Sequence, residues 1–442
     1  MRILDIYYYW LVLVVILAFF DLKKSVGLLI AYLLLVPYSS FKYALVPIEF
    51  NYIVFVVFCL FLINERFVKK ESFDLTFVKP LAIFCLLSLL GSLFADGLKL
   101  SIQLINLRSF ILYNLLIPII LWQLCRREID VRFFTRVVLF CLVIMNIYAI
   151  YCFFSGLNPY VTVLSILYRA QDNAEVFANT ERGGLVGRVQ STTFHPMFWS
   201  VILVLSLFAS YIFYHKDRKM LFYTIAPLVM INLLICGVRS GIFAFFAGLL
   251  VFFTRSSSRS ILILFSCVLF LFLIGIDTSI FGQYQPYVDS IVHFADTEKN
   301  IRGSTVQSRL SQLDGAVNLW VNGGLIVGKG FGWCANYYAT KGDHPAVLGF
   351  ESIVYIVIID SGVLGIILWT WLFYSFFRLN HLYSHNRDVK FNINYRIIES
   401  LIVSFIVFLT ATGIFGLNYF LIILVLVIKQ AHFDNLGTLS YT

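Results

Sequence analysis

Long apolar runs alternate with short polar breaks along nearly the whole chain. A helix that crosses a bilayer needs about 20 apolar residues, within a range near 17–25. Candidate runs, several of them short of this measure, are 4–20, 25–40, 47–63, 78–96, 108–125, 135–156, 196–214, 220–237, 241–254, 261–276, 352–377, 396–413 and 417–430. The pattern predicts an all-α polytopic membrane protein, with 12–13 transmembrane helices in a single transmembrane domain over 1–442. The inverted repeat common in transporters is not visible in the sequence.

The polar breaks fall into two kinds. Basic runs occur at Lys23-Lys24, at Arg66 with Lys69-Lys70, and at Arg126-Arg127 with Arg132 and Arg136. Others follow at Lys216 with Arg218-Lys219, at Arg255 with Arg259, and from Arg378 to Arg396. The positive-inside rule assigns all of these to the cytoplasm. Two long connections face the other way: 157–195, about 39 residues, and 277–351, about 75 residues. They carry Gly, Asn, Asp and isolated Arg in place of basic runs. Loops beyond about 12–15 residues are uncommon without a working role. The chemistry is therefore expected in these two loops, and the remainder reads as scaffold.

In the larger loop, Gln307–Val321 places Leu310, Leu313, Ala316 and Val317 at i, i+3, i+6 and i+7, the mark of an amphipathic helix. Such a helix suits the outer membrane surface. Gly328-Lys329-Gly330-Phe331-Gly332 follows. It lacks the GxxxxGK[ST] spacing of a phosphate-binding loop and reads as a turn.

Composition sharpens the class. Hydrophobic residues make up 60% of the chain and charged residues 13%. Soluble domains run near 45–50% and about 25%. A soluble enzyme and a disordered chain are excluded. So is a nucleic-acid reader, despite a net charge of +9, because the basic residues punctuate apolar runs and form no continuous patch. Seven of the eight cysteines lie in apolar runs, Cys334 alone lies in a polar stretch, and no CxxC pair occurs. They read as small hydrophobes. No metal ligand set and no cofactor motif is present.

Several isolated charges stand out. Arg239 sits in the minimal turn Gly237-Val238-Arg239-Ser240-Gly241, at the membrane boundary. A charge there is usually functional or paired, with a snorkelling anchor as the plain alternative. Arg188 and His195 lie in GRVQSTTFHP, just before the chain re-enters the membrane. Arg309 opens the amphipathic helix, where a salt bridge with Asp314 is the plain alternative. Three guanidinium groups gathered at one mouth would match phosphate oxygens bidentately. A lipid diphosphate with its tail in the bilayer would suit such a site.

Glu351 stands where the large loop meets the next helix, followed by Tyr355 and, inside the apolar run, Asp360. A carboxylate at such a junction can deprotonate a hydroxyl. It can equally favour a helix N-terminus. Asp360 reads as a hydrogen-bonding or ion-pairing residue within the bundle. His344, seven residues before Glu351, is a rival base or an exposed loop histidine. Glu399 is a second acid within an apolar segment.

Four stretches together resemble the O-antigen ligase and O-antigen polymerase superfamily of bacterial membrane glycosyltransferases. They are GRVQSTTFHPMFWS (187–200), ICGVRSGIFAFFAGLL (235–250), SRLSQLDGAVNLWVNGGLIVGKGFGW (308–333) and ESIVYIVIIDSGVLGII (351–367). The likeness spans roughly residues 185–430. It implies a GT-C-like fold in the bacterial inner membrane, with short helices in a large periplasmic loop and the active site facing the periplasm. It further implies a polyprenyl-diphosphate-linked glycan as donor, transferred with inversion and without metal or cofactor to the hydroxyl of an acceptor glycan. Membrane lipid, and a chain-length regulator or flippase, are the surroundings and partners that go with it; nucleic acid is not. By the same likeness Arg188, Arg239 and Arg309 would bind the diphosphate. Ligases of this kind carry a His just before the helix that follows the large loop. Here that place holds Glu351, with His344 displaced, which favours a polymerase over a ligase acting on the lipid A core. A transporter of lipid-linked glycans is the alternative from another class.

Overall fold

The computed structural model describes residues 3–36, 50–160, 189–193, 195–214, 219–254, 306–384, 393–413 and 416–439. Among them the chain is helical, without a strand, as the apolar pattern predicts. We number the helices α1 (Ile3–Phe20), α2 (Leu22–Leu35), α3 (Phe50–Ile63), α4 (Leu75–Leu93), α5 (Leu100–Phe110), α6 (Leu116–Leu124) and α7 (Glu128–Ser155). These are followed by α8 (Pro196–Tyr214), α9 (Lys219–Ile235), α10 (Arg239–Thr254), α11 (Val306–Val321) and α12 (Trp333–Lys341). The last three are α13 (Ile353–Ser384), α14 (Ile393–Thr412) and α15 (Leu417–Leu439). A π-turn, Asn64–Val68, extends α3, and another, Ile111–Leu115, joins α5 to α6.

Among the described residues, eight helical stretches are long and apolar enough to span a membrane, and Tyr7–Phe20, Ile225–Ile235 and Arg239–Phe253 are shorter apolar helices. The expected segment 261–276 lies outside the described residues. The protein is thus a multi-pass membrane protein. Its bundle is cored on α15, whose residues from Leu417 to Ile428 are almost all buried. Phe420 of α15 stacks on Phe405 of α14 at 4.1 Å. Close approach needs small residues where helices cross in lipid. Gly248 of α10 supplies one: a methyl group there would meet Ser404, the Phe208 ring and the Ser400 carbonyl.

The two ends of the bundle differ. At one end the cationic residues are tied into acids. Arg126 bridges Glu65 and Glu71, Lys69 reaches Glu65 at 2.7 Å, and Lys23 pairs with Asp130. Asp74 caps α4 through the Thr76 N–H at 3.0 Å and accepts from Trp122 Nε1 at 2.8 Å. Lys429 lies over the Trp122 ring, 3.7 Å from its centroid. Burial alone would lift the Asp74 carboxyl, but the Thr76 bonds, Lys429 and Trp122 outweigh it and hold the carboxyl below its ordinary range.

Elsewhere the short segment 189–193 is clasped to α7 and to the C-terminal turn of α2. Ser191 Oγ donates to the Met145 carbonyl at 2.6 Å, and Thr192 Oγ1 to the Leu34 carbonyl at 3.3 Å. At the end of the bundle opposite the ion pairs, where α14 finishes, sits a small cap made of α11, α12 and the first turns of α13. The cap has its own apolar cluster of Ala316, Cys334, Val347, Phe350, Tyr355, Ile358 and Ile359, separate from the main core. The 22 residues of α13 that follow Gly362 rise about 33 Å, enough by themselves for a bilayer core of about 30 Å. Gly91, near the end of α4, packs on Leu364, so the part of α13 before Gly362 continues past α4 into the cap.

α13 is broken where it leaves the bundle. Gly362 has φ 57° and ψ −146°, a conformation open to glycine alone. The hydrogen bonds lost there are made to the Gly-rich turn instead. Val363 and Leu364 N–H donate to the Leu325 and Ile326 carbonyls, both at 3.0 Å. In return Lys329 and Gly330 N–H donate to the Ile359 and Asp360 carbonyls at 2.7 and 2.9 Å.

Candidate functional site

The cap assembles the residues singled out in the large loop. Glu351 follows a tight turn, Leu348–Phe350, in which Gly349 and Phe350 both have positive φ, 60° and 46°. That turn swings the acid back toward α11. Arg309, in the first turns of α11, meets it with a fork. Its Nη2 donates to Glu351 Oε2 at 2.8 Å and its Nη1 to the Glu351 carbonyl at 2.9 Å. Nη2 also donates to the carbonyl of Ala411, at the end of α14, at 3.3 Å. Tyr355 completes the group, its hydroxyl donating to the Arg309 carbonyl at 2.9 Å. Arg309 therefore pairs with Glu351 and not with Asp314, whose Oδ2 accepts instead from Asn318. Both members of the pair keep over a quarter of their side-chain surface in solvent, 27% and 28%.

His344 lies in the connection between α12 and that turn and joins a ring cluster with Trp333, Tyr337 and Phe350. Its Nδ1 accepts from the Ala346 N–H at 3.1 Å. Partial burial, with the Lys329 ammonium nearby, lowers its affinity for protons below the ordinary histidine value. The neutral ring with its proton on Nε2 is favoured. Asp343 is exposed, and its Oδ1 accepts from the Gly349 N–H at 3.1 Å, closing the turn that carries His344 and Glu351.

Asp360 takes a structural part, in line with its reading as a hydrogen-bonding residue. Its carboxylate accepts from the Gly332 and Cys334 N–H groups at 3.0 and 2.8 Å, so it caps α12 from within α13. Gln103 and Asn106 of α5 grip the turn from the other side. Phe331 N–H donates to Gln103 Oε1 at 3.1 Å, and Asn106 Nδ2 to the Gly332 carbonyl at 3.2 Å. Methyl groups on Gly330 and Gly332 would collide with these two side chains.

Arg239 is the first residue of α10 and half-buried. Two residues on, Gly241 packs against Ser200 near the start of α8, and Gly416 packs on Val201. The starts of α8 and α10 and the end of α14 therefore share one end of the bundle, the end at which Arg309 binds Ala411. Arg239 belongs to that end. His195 caps α8: its Nδ1 accepts from the Met197 N–H at 3.1 Å and its carbonyl from Phe198 at 3.0 Å. Arg188, the third arginine, lies outside the described residues, as do most of 157–195 and the part of the large loop before Val306. Glu399 is buried in α14.

The amphipathic helix is present, but its apolar stripe is divided. Ala316 is buried in the cap, whereas Leu310, Leu313, Val317 and Val321 are exposed. Sequence reasoning missed α12, Lys329, Gln103 and Asn106. Trp333 and Tyr337, four apart in a polar stretch, were the available signal for α12. Neither a known family model nor any curated protein matches this chain.

Proposed function

We propose that the protein is a glycosyltransferase of the polysaccharide-polymerase kind, acting from a GT-C-like bundle in a bacterial inner membrane with its cap in the periplasm. The observation that carries the reading is the Arg309–Glu351 pair, an anion-binding fork against a carboxylate, set in a cap at one end of a membrane bundle. The donor is a glycan on a polyprenyl diphosphate, and the acceptor is a second lipid-linked repeat unit. The acceptor hydroxyl attacks the anomeric carbon, the bond from that carbon to the diphosphate oxygen breaks, and the hydroxyl proton passes to Glu351. Lipid diphosphate leaves with the bonding electrons. Arg309, with Arg239 and Arg188, stabilises the charge that builds on it. Diphosphate oxygens replace the Glu351 carboxylate on the Arg309 fork, which frees the carboxylate as base.

One observation favours a second reading, a ligase that passes the glycan to lipid A core. His344, held neutral by burial and Lys329, is a competent base at neutral pH. Purified protein with one lipid-diphosphate-linked repeat unit and no other acceptor separates the two. A ladder of longer glycans, abolished in Glu351→Ala, supports the polymerase. Transfer only after lipid A core is added, lost in His344→Ala but kept in Glu351→Ala, supports the ligase. Movement of the lipid-linked glycan across the bilayer, with no glycosidic bond formed, would overturn both in favour of transport.

A further inference from the structure

Next to the Arg309–Glu351 pair lies a cluster of four rings. Trp333 and Tyr337 stand one turn apart on α12, their centroids separated by 5.1 Å. The turn after α12 brings His344 within 4.9 Å of Tyr337 and 6.4 Å of Trp333. Phe350 is 6.2 Å from both and 6.1 Å from His344. Each ring thus contacts the other three. Phe350 is the buried floor, while the other three remain half-buried. A φ of 46° is uncommon for an aromatic residue, so the backbone accepts strain to seat this floor. The residue after Phe350 is Glu351.

The rim of the cluster is polar. Two flexible ammoniums also sit on ring faces: Lys329 Nζ lies over the Trp333 ring, 5.0 Å from its centroid, and Lys341 Nζ over the Tyr337 ring at 5.2 Å. Asp343 and the imidazole of His344 add an acceptor and, at Nε2, a donor. A lipid tail or an apolar peptide face would call for an apolar rim. A pyranose ring calls for what is present. Its C–H groups carry partial positive charge and settle on the negative faces of aromatic rings. Its hydroxyls need a few well-placed donors and acceptors at the edge.

We propose that the Trp333–Tyr337–His344–Phe350 cluster is a glycan subsite, which holds a sugar ring beside the bond being made. Trp333 and Tyr337 are its stacking faces, taken by the sugar as the Lys329 and Lys341 ammoniums swing from over the rings to their edge. Lys329 and Lys341 are its hydroxyl donors. The assignment rests on the glycan-transfer reading above, but it makes a claim about binding that needs no turnover.

The test uses the full chain in lipid nanodiscs and a panel of free di- and trisaccharides of glucose, galactose, mannose, rhamnose and N-acetylglucosamine. Saturation-transfer NMR reads binding without catalysis. At least one sugar is expected to bind. Trp333→Ala and Tyr337→Ala should each weaken it about tenfold. Trp333→Phe keeps a stacking face and should retain most of the binding. Tyr338→Ala, about 100° further round the helix, should leave it unchanged. Where a ring truncation lowers the yield of folded protein, Lys341→Ala replaces it, with a severalfold loss expected at an exposed position. Absence of binding by every sugar in the panel overturns the subsite. So does binding that is unchanged in ring variants of normal melting temperature. Ring-dependent binding without transfer of a lipid-linked glycan would overturn the transfer reading alone. A normal glycan ladder in the ring variants would overturn the subsite alone.

Discussion

Arg309 holds Glu351 by side chain and backbone at once, through Nη2 to Oε2 at 2.8 Å and Nη1 to the carbonyl at 2.9 Å. The same guanidinium reaches the Ala411 carbonyl, so one residue joins α11, the α13 junction and the end of α14. A planar fork with five fixed donors can do this, and a lysine ammonium on a flexible stem cannot.

Arg309→Lys should therefore loosen the cap although it conserves charge. Thermal unfolding in detergent should show a lower midpoint than the wild type. A double-mutant cycle of Arg309→Ala with Glu351→Ala should give a coupling of about 0.5–1 kcal/mol, since both groups are partly solvated. A coupling of zero would mean that the pair is not formed in solution.

Gly362→Ala should be among the more damaging single substitutions in α13. The backbone angles there are closed to alanine, and the added methyl would lie 2.5 Å from the Leu325 carbonyl and 2.8 Å from that of Ile326. A loss of about 1–3 kcal/mol is expected, with faster tryptic cutting after Lys329 as the turn detaches. Cutting at the wild-type rate would show that the turn tolerates the change.

Cys334 should resist alkylation in the folded protein. Burial is the chief reason that its thiol is pushed well above the ordinary range, and the Asp360 carboxylate beside it adds to the effect. Little thiolate is then present at pH 7.5. Peptide mapping after maleimide treatment should find Cys334 unmodified until the chain is denatured. Asp360→Asn disturbs the acceptor of the Gly332 and Cys334 N–H groups and should speed modification. Rapid labelling of the native protein would count against this packing.

His344 should titrate below the ordinary histidine range, first because it is partly buried and second because Lys329 is near. With the folded value below the unfolded one, the unfolded chain binds more protons in the window between them. Stability from this residue is complete above the unfolded value, about 6.5, and falls as pH drops through the folded value. Lys329→Met should move the NMR titration of His344 upward. An unmoved titration would separate the two residues.

Much of the fold was legible because lipid imposes a simple rule on sequence. The boundaries of α1, α8 and α14 fall within a few residues of the apolar runs 4–20, 196–214 and 396–413. The cap was legible only in part. Arg309 and Glu351 were visible as isolated charges, but their pairing across 42 residues depends on a turn with two positive-φ residues, Gly349 and Phe350, which composition does not announce. Asp360 looked like a buried hydrogen-bonding acid and is one. Its partners, the Gly332 and Cys334 N–H groups, are backbone atoms that leave no mark on a side-chain pattern. α12 was hidden for another reason: at nine residues, Trp333–Lys341 is too short to display a helical period, and it is held by its neighbours more than by its own pattern.

The break in α13 also has a consequence for length. Leu325 and Ile326 bond to Val363 and Leu364, and Lys329 and Gly330 bond back to Ile359 and Asp360, so the two strands of chain are matched residue for residue. Adding or deleting one residue between 325 and 330 would leave the two halves of this splice out of step by one peptide. A loop that merely connects two helices absorbs such changes; this one behaves as a missing section of helix supplied from elsewhere in the chain. Its length should prove as fixed as that of a transmembrane segment, in a stretch whose glycines make it look like the most adaptable part of the cap.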